Sequence, residues 1–389
     1  MPGWYQDLKA LQASGKIQIV GLIQEQHPER CKLFMEWKKL DFPILVDSLN
    51  RLEVTAIPKM WALADQSLVI ETRPKMEWIR GEFLELAYPA MIIENPEPKE
   101  SRAVQAYLDQ EWSKAIDSFS LDCNAASVKD PKDGRPYFRL GCAYRARHDS
   151  KDRQPGDFQR AIDMWTQAIR IDPGNYIYQR RLQQYGPRLM KPYPFYDWID
   201  DARRDIEKRG DKVPPLLVEP RGAELAGPSR KPIEASTVKE ENPDPEGKMP
   251  FDSLGYVKIE SVVAPYPARA GATVAVHMDL RLNKKLGTTW DNEGGPLQIW
   301  LAKGDGYTLA KQLWKSPLPH QPGSAENRVY DFEVGLATSK EAGKTKIAGF
   351  AVYFVCEKKS GVCTFARQNF SIEILFVKAR EKTQRRRRR

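Results

Sequence analysis

"GFAVYFVCEKKSGVCTF", residues 349–365, carries two of the five cysteines in a chain of 389 residues. One aromatic-rich run ends at Cys356 and another begins at Cys363, with Lys358-Lys359-Ser360-Gly361 between them. Folded as an antiparallel hairpin, Cys356 faces Cys363, Glu357 faces Val362, Lys358 faces Gly361, and Lys359-Ser360 forms the tip. Side chains alternate between the two faces of a strand, so this parity sends both sulfurs out of one face. Directly opposed residues have Cα atoms about 4.5–5.5 Å apart, within the span of a disulfide. Phe350, Val352, Phe354 and Phe365 have the same parity, so the sulfurs are expected on an apolar, aromatic surface.

These residues alone leave three states open: a redox-active pair, a structural disulfide, or two packed thiols. A bond across so short a loop restricts the unfolded chain by only about 2.5 kcal/mol in the entropic account. Lys358 and Lys359 favour a nearby thiolate, and reachable disulfides in short loops tend to be exchangeable. A metal centre needs two further ligands, and no His or Cys in this part of the chain has suitable spacing. No metal and no bound cofactor is therefore expected.

Outward from the hairpin, residues 251–377 read as strand throughout: "YVKIESVVA", "TVAVHMDLRL", "LQIWLA", "VYDFEVGL" and "FSIEILF" alternate apolar and polar residues between turn signals. That pattern predicts a β-sandwich. Within it, "TTWDNEGGPLQIWL" (288–301) joins a polar turn to an apolar strand. Asp291 and Glu293 are read there as part of a tight loop capped by Asx hydrogen bonds rather than as a cation site. Upstream, residues 208–250 are rich in Pro, Gly, Glu and Lys without periodicity, the composition of a disordered linker. Residues 378–389 form a basic disordered tail. The last twelve residues hold +7 of the formal net charge of +9, leaving about +2 for the body. The pentad Arg385–Arg389 is thus read as solvated, not as a nucleic-acid site, since no basic face with stacking aromatics accompanies it. No apolar run is long enough to span a membrane, and "MPGWYQDLKALQASG" lacks the apolar core of a signal peptide.

Residues 101–207 have helical period. "PYFRLGCAYRAR" and "DFQRAIDMWTQAIRIDPGN" interlock small and large residues: Tyr137, Leu140, Gly141 and Tyr144 on one helix, Ala161, Trp165 and Ala168 on the other. Ala115 and Phe119 repeat the step upstream. The region resembles the tetratricopeptide (TPR) repeat, which implies either a peptide-binding groove or, with so few repeats, a helical spacer. Cys123 and Cys142 fall on these helices and read as buried small residues.

Residues 1–94 alternate helix and strand, the pattern of an α/β layer structure. The segment 42–70, with Val54-x-x-Ile57-Pro58, an apolar strand, a turn at Asp65 and a second strand, resembles thioredoxin-like redoxins. The resemblance implies that Pro58 is cis beside a redox site and that Ile57 and Pro58 meet a substrate peptide. The chain has no C-x-x-C, and its first residues already read as the helix that follows the active site in that family. Two alternatives follow: a degenerate unit without its first strand and redox motif, or a truncated unit whose start lies inside a longer gene product. Cys31, beside Arg30, Lys32 and His27, is the secondary thiol candidate, although its spacing with Phe34 and Trp37 also fits helix packing.

The hairpin carries a further resemblance. "FAVYFVCEKKSGVCTFARQNFSIEI" is similar to the cysteine-bearing hairpin in the immunoglobulin-like amino-terminal domain of the DsbD family of periplasmic thiol:disulfide interchange proteins. It implies that Cys356 and Cys363 exchange with a thioredoxin-like partner or other protein thiols, shielded by Phe350, Phe354 and Phe365. The whole chain is expected to be multidomain: an α/β thioredoxin-like unit, an all-α TPR-like region and an all-β immunoglobulin-like sandwich. Its expected function is thiol–disulfide exchange in an extracytoplasmic, periplasmic setting. A non-catalytic interaction scaffold, in the cytoplasm or outside it, is the rival.

Overall fold

A computed structural model describes residues 2–57, 59–63, 69–72, 75–85, 101–184, 198–216, 240–316, 323–338, 342–358 and 360–378. The chain is a mixed α/β protein with several sheets and divides into two compact units. One comprises Met1–Asp157, Gln167–Arg181 and Pro194–Ala223; the other comprises Phe158–Thr166, Leu182–Tyr193 and Glu224–Arg389. The expected boundary at residues 95–100, the turn at Asp65 and the tail pentad Arg385–Arg389 fall outside the described residues. Among the described residues, no helix is long and apolar enough to cross a membrane.

The first unit begins with α1 (Pro2–Ala13), β1 (Gly21–Ile23), α2 (Glu29–Lys38) and β2 (Ile44–Val46). β1 and β2 pair in parallel, Leu22 opposite Leu45. Leu8 of α1 is buried with Tyr5, Ile19, Leu40 and Ile79 in one small core. β3 (Trp61–Leu63) and β4 (Val69–Thr72) pair antiparallel, followed by α3 (Met76–Arg80) and α4 (Glu82–Glu85). Phe34 and Trp37 of α2 pack on Trp198 of a later helix, the two indoles stacked at 6.0 Å. The helices continue with α5 (Arg102–Leu108), α6 (Trp112–Lys129), α7 (Arg135–Asp149), α8 (Asp157–Ile171), whose residues Phe158–Thr166 belong to the second unit, α9 (Tyr176–Gln183) and α10 (Trp198–Lys208). Ala115, Phe119, Ala161, Trp165 and Ala168 are all buried, as their helical spacing requires.

Polar contacts link the helices to the strands. Residues just beyond the carboxyl ends of β1 and β2 are covered by α5, α7 and α9. Arg181 donates to Gln26 Oε1 (2.7 Å), to the Ser48 carbonyl (3.2 Å), to the Gln24 carbonyl and to Cys142 Sγ (3.0 Å). Tyr107 bonds Ser48 Oγ at 3.0 Å, and Arg139 donates to the Leu49 carbonyl. Glu25 receives Arg180 at 3.0 Å and Arg30 at 3.4 Å. Cys142 is buried as expected, but it works as a polar link, also donating to the Ser48 carbonyl at 3.3 Å.

The second unit holds the remaining strands: β5 (Val257–Ala264), β6 (Ala268–Arg269), β7 (Thr273–Leu282), β8 (Thr288–Asp291), β9 (Gln298–Leu301) and β10 (Tyr307–Leu309). They are followed by β11 (Leu313–Lys315), β12 (Gly323–Ser324), β13 (Arg328–Leu336), β14 (Gly343–Glu357) and β15 (Cys363–Val377). One sheet has the order β10-β13-β7-β5. The other runs β11-β9-β14-β15-β6, with β8 on β14 and β12 on β8. Both contribute to one core: Val274, Val276 and Met278 of β7 and Phe332 and Val334 of β13, with Ile347, Tyr353 and Val355 of β14 and Ile372 and Ile374 of β15. Alternation along each strand is the reason, since period two sends every second residue inward.

The stretch expected to be a linker, 208–250, is structured at both described ends. Asp211 pairs with Lys39 at 2.9 Å and Leu216 is buried. Glu240 accepts from the Leu313 amide at 3.2 Å, and Asp244 pairs with Arg367. These charged residues read as solvated from composition alone, whereas each has a specific counter-charge or amide on a folded unit. Residues 217–239 lie outside the described set.

Two consequences are measurable. Arg147 grips Asp157 through two bonds, 2.7 and 3.0 Å, with both groups buried. Replacing Asp157 by Ala leaves a buried cation without its counter-charge, and urea unfolding should show a loss of about 3–5 kcal/mol. Glu25 provides a pH signature. Burial pushes its pKa up, but Arg180 and Arg30 outweigh that and bring it from 4.5 down to about 2. A depressed carboxyl stabilises the fold fully above its unfolded pKa and loses that contribution as pH falls through the folded value. Stability of the first unit should therefore drop between about pH 4.5 and 2, and Glu25→Gln should flatten that part of the profile in a pH series of thermal melts.

Candidate functional site

The register of β14 and β15 builds the site. It pairs Cys356 with Cys363, Phe354 with Phe365, Val352 with Arg367 and Phe350 with Asn369. Ala351, Tyr353 and Val355 of β14 and Ala366 of β15 point into the core, so the sulfur-bearing residues face the opposite way. The sulfurs are bonded at 2.01 Å with Cα atoms 3.9 Å apart, closer than the spacing expected for an opposed pair. Cys356 is half-buried and Cys363 is exposed. At the tip, the Glu357 amide donates to the Val362 carbonyl and the Gly361 amide to the Glu357 carbonyl, each at 2.9 Å. Gly361 adopts φ +68°, a conformation that costs a side-chain-bearing residue more. Lys358 is exposed, while Lys359 lies outside the described residues.

The aromatic surround expected from parity is present. Phe354 and Phe365 lie with ring centroids 4.5 Å apart, next to the disulfide. Farther along the same face, the Arg367 guanidinium sits 4.0 Å above the Phe350 ring and 5.5 Å from that of Phe251. Residues 244–252 cross here: Asp244 pairs with Arg367, the Arg367 amide donates to the Pro250 carbonyl, and the Asp252 amide donates to the Arg367 carbonyl. Phe350 and Val352 are consequently buried, leaving the disulfide end as the open part of the face.

β8 and β9 both pair with one edge of β14. β8 takes Val355–Glu357, with Thr289 opposite Cys356, and β9 takes Gly349–Val352. The chain between them has to leave the sheet, and it passes over Phe354. Gly294 and Gly295 allow the close approach: a Cβ on Gly294 would lie 2.6 Å from Phe354 Cδ1, and one on Gly295 3.2 Å from Cε2. The loop is fastened at several points. Asp291 Oδ1 accepts from the amides of Glu293 (3.0 Å) and Gly294 (3.1 Å), the Asx cap that the sequence predicts. Arg328 donates to Asn292 Oδ1 at 2.8 Å, and the Tyr330 hydroxyl to the Leu297 carbonyl at 2.9 Å.

The register also brings the Asp291 carboxylate to the sulfurs: one carboxylate oxygen and both Sγ atoms lie within 4.8 Å of one another. In the reduced pair this charge opposes a thiolate by about 1–3 kcal/mol, depending on the effective dielectric. The lower end applies because Asp291 is half-exposed. In the sequence, Asp291 reads as a loop cap in preference to a cation ligand. Its position beside the sulfurs depends on the β8–β14 pairing, which leaves no local signal.

The other candidate residues lie elsewhere. Ile57 is exposed, and Pro58 lies outside the described residues. The nearby Thr55 carbonyl already accepts the Tyr176 amide at 3.0 Å, so this backbone is engaged within the chain. Cys31 is not an activated thiol. Burial pushes its pKa up to about 11 and the Glu25 carboxylate adds to the rise. Arg30, expected to lower it, is paired with Glu25.

In comparison with known proteins, the chain matches no family model and no curated sequence. The Gly294–Phe354 contact gives a direct test of whether the loop restricts approach to the disulfide. Gly294→Ala should lift the loop from the ring, and the disulfide should then react with dithiothreitol several-fold faster in stopped-flow reduction.

Proposed function

We propose that this chain is a thiol–disulfide exchange protein whose reactive centre is Cys356–Cys363. The observation that carries the reading is a hairpin disulfide on the outer sheet face, with Cys363 exposed, beside an aromatic pair and an anchored loop. A thiolate of a protein partner attacks Cys363 Sγ, on the more exposed of the two residues. The Cys356–Cys363 bond breaks, Cys356 departs as a thiolate and takes a proton from solvent, and the partner is held in a mixed disulfide. A second partner thiol then attacks the partner sulfur of that bond, releasing Cys363 as a thiol and leaving the partner oxidised. Phe365, backed by the loop-covered Phe354, supplies the apolar contact for the docking partner. No bound cofactor takes part in these steps.

The finer architecture belongs to the same proposal. The two-sheet unit is read as a DsbD-type immunoglobulin-like domain, the α/β part as a thioredoxin-like fold and the helices as a TPR-like region. A thioredoxin-like partner and an extracytoplasmic compartment follow from that reading. The first unit favours a second role, since the Thr55 carbonyl is engaged and Cys31 is not activated. We read it as a non-catalytic scaffold that holds partners while the hairpin does the chemistry.

Single-cysteine variants test the assignment. Cys356→Ser should accumulate mixed disulfides through Cys363 at least ten times more than Cys363→Ser does through Cys356. In redox buffers the wild-type pair should open at a potential above about −300 mV. A pair that stays closed below that potential is structural, and the exchange reading then fails.

A further inference from the structure

We propose that the reduced form of this site binds a thiophilic divalent cation, zinc being the best fit, through Cys356, Cys363 and Asp291. This rests on the reading above in one respect: the pair must be reducible. Among the described residues, these three form the group whose ligand atoms converge, all within 4.8 Å of one another.

The geometry is close to what zinc requires. Zn–S distances of about 2.3 Å and Zn–O distances of about 2.0–2.2 Å in a tetrahedron place the sulfurs about 3.8 Å apart and each sulfur about 3.5 Å from the oxygen. Opening the S–S bond lets the sulfurs separate by rotation about their Cα–Cβ bonds. The carboxylate then needs to close by about 1 Å. All three residues sit on neighbouring strands, β14, β15 and β8, whose pairing fixes Cys356 between Cys363 and Thr289. Two backbone amides on Oδ1 hold the Asp291 carboxylate in place beside the sulfurs. Exposed Cys363 provides the entry path and leaves a fourth position for water.

The chemistry balances. A dithiol partner gives two electrons and two protons to the disulfide and becomes a disulfide itself, leaving two thiols here. Zinc then displaces both thiol protons to solvent. Two thiolates and a carboxylate in close quarters repel one another, and a dication removes that repulsion. Soft sulfur ligands select zinc over magnesium or calcium. Bound metal would block exchange at the pair until a competing ligand removed it, so metal supply would regulate the same site.

The test uses the full chain, tag-free, reduced by a phosphine and desalted under nitrogen. Zinc chloride is titrated against a chromophoric chelator, and free thiols are counted in the same sample. The reduced chain should bind one zinc at least tenfold more tightly than the oxidised chain or the Cys356→Ser/Cys363→Ser variant, which controls for Cys31, Cys123 and Cys142. Asp291→Ala should weaken binding at least tenfold. Asp291→Asn, which retains an oxygen for the loop cap, should do the same if the alanine variant misfolds. Cadmium should give a thiolate charge-transfer band in the reduced wild type that is lost in the double variant. Free thiols without zinc binding, or zinc binding indifferent to Asp291, overturn this inference and leave exchange standing. A pair that cannot be reduced overturns both.

Discussion

The pairing register of β14 with β15 is the constraint on which the second unit depends. Fourteen consecutive residue pairs, from Gly343–Phe376 to Cys356–Cys363, are held in one frame. A slip of β15 by one residue would carry Cys363 and Phe365 into the core and turn Ala366, Ile372 and Ile374 out to water. The apolar residues facing inward therefore fix the frame, and the frame fixes the sulfurs. Disulfide and core are two expressions of a single alternation.

A second constraint acts along the edge of β14. Because β8 and β9 share that edge, the seven residues from Asp291 to Leu297 are forced out over Phe354. Two glycines permit contact with the ring, and Asp291, Arg328 and Tyr330 hold the loop in place. The result is a rigid setting for an exposed cysteine: aromatic on one side, carboxylate on another. Asp291 and exposed Lys358 act in opposite directions on a thiolate, and the carboxylate lies on the sulfur-bearing face. Reactivity here depends on access more than on a strongly activated thiol.

The first unit follows a different logic. The carboxyl ends of parallel strands are a common place for ligands in α/β sheets, yet here they meet the chain's own helices. Arg181 is almost wholly buried and joins segments on both sides of the strand pair and on α7. Tyr107, with its hydroxyl pKa raised to about 12 by burial, belongs to the same network. Such networks are costly to leave half-satisfied, which favours a fixed arrangement of helices over strands.

Much of this was legible in the chain itself. Period-two alternation marked the strands of the second unit, parity put both cysteines on one aromatic face, and helical spacing marked Ala161, Trp165 and Phe119 as buried. Asp291 and Glu293 were readable as part of a capped loop, because an Asx cap is made within three residues. Other features had no local trace. The approach of Asp291 to the sulfurs, the Asp244–Arg367 pair inside an apparently disordered stretch, and the closure of Arg181 over Gln26 and Ser48 join residues tens to more than a hundred positions apart. The sequence by itself determined the period of each segment and which face each side chain takes, since both follow from backbone geometry. Tertiary structure alone decided which charged and polar groups meet, because the partner of a long polar side chain depends on which strands and helices become neighbours.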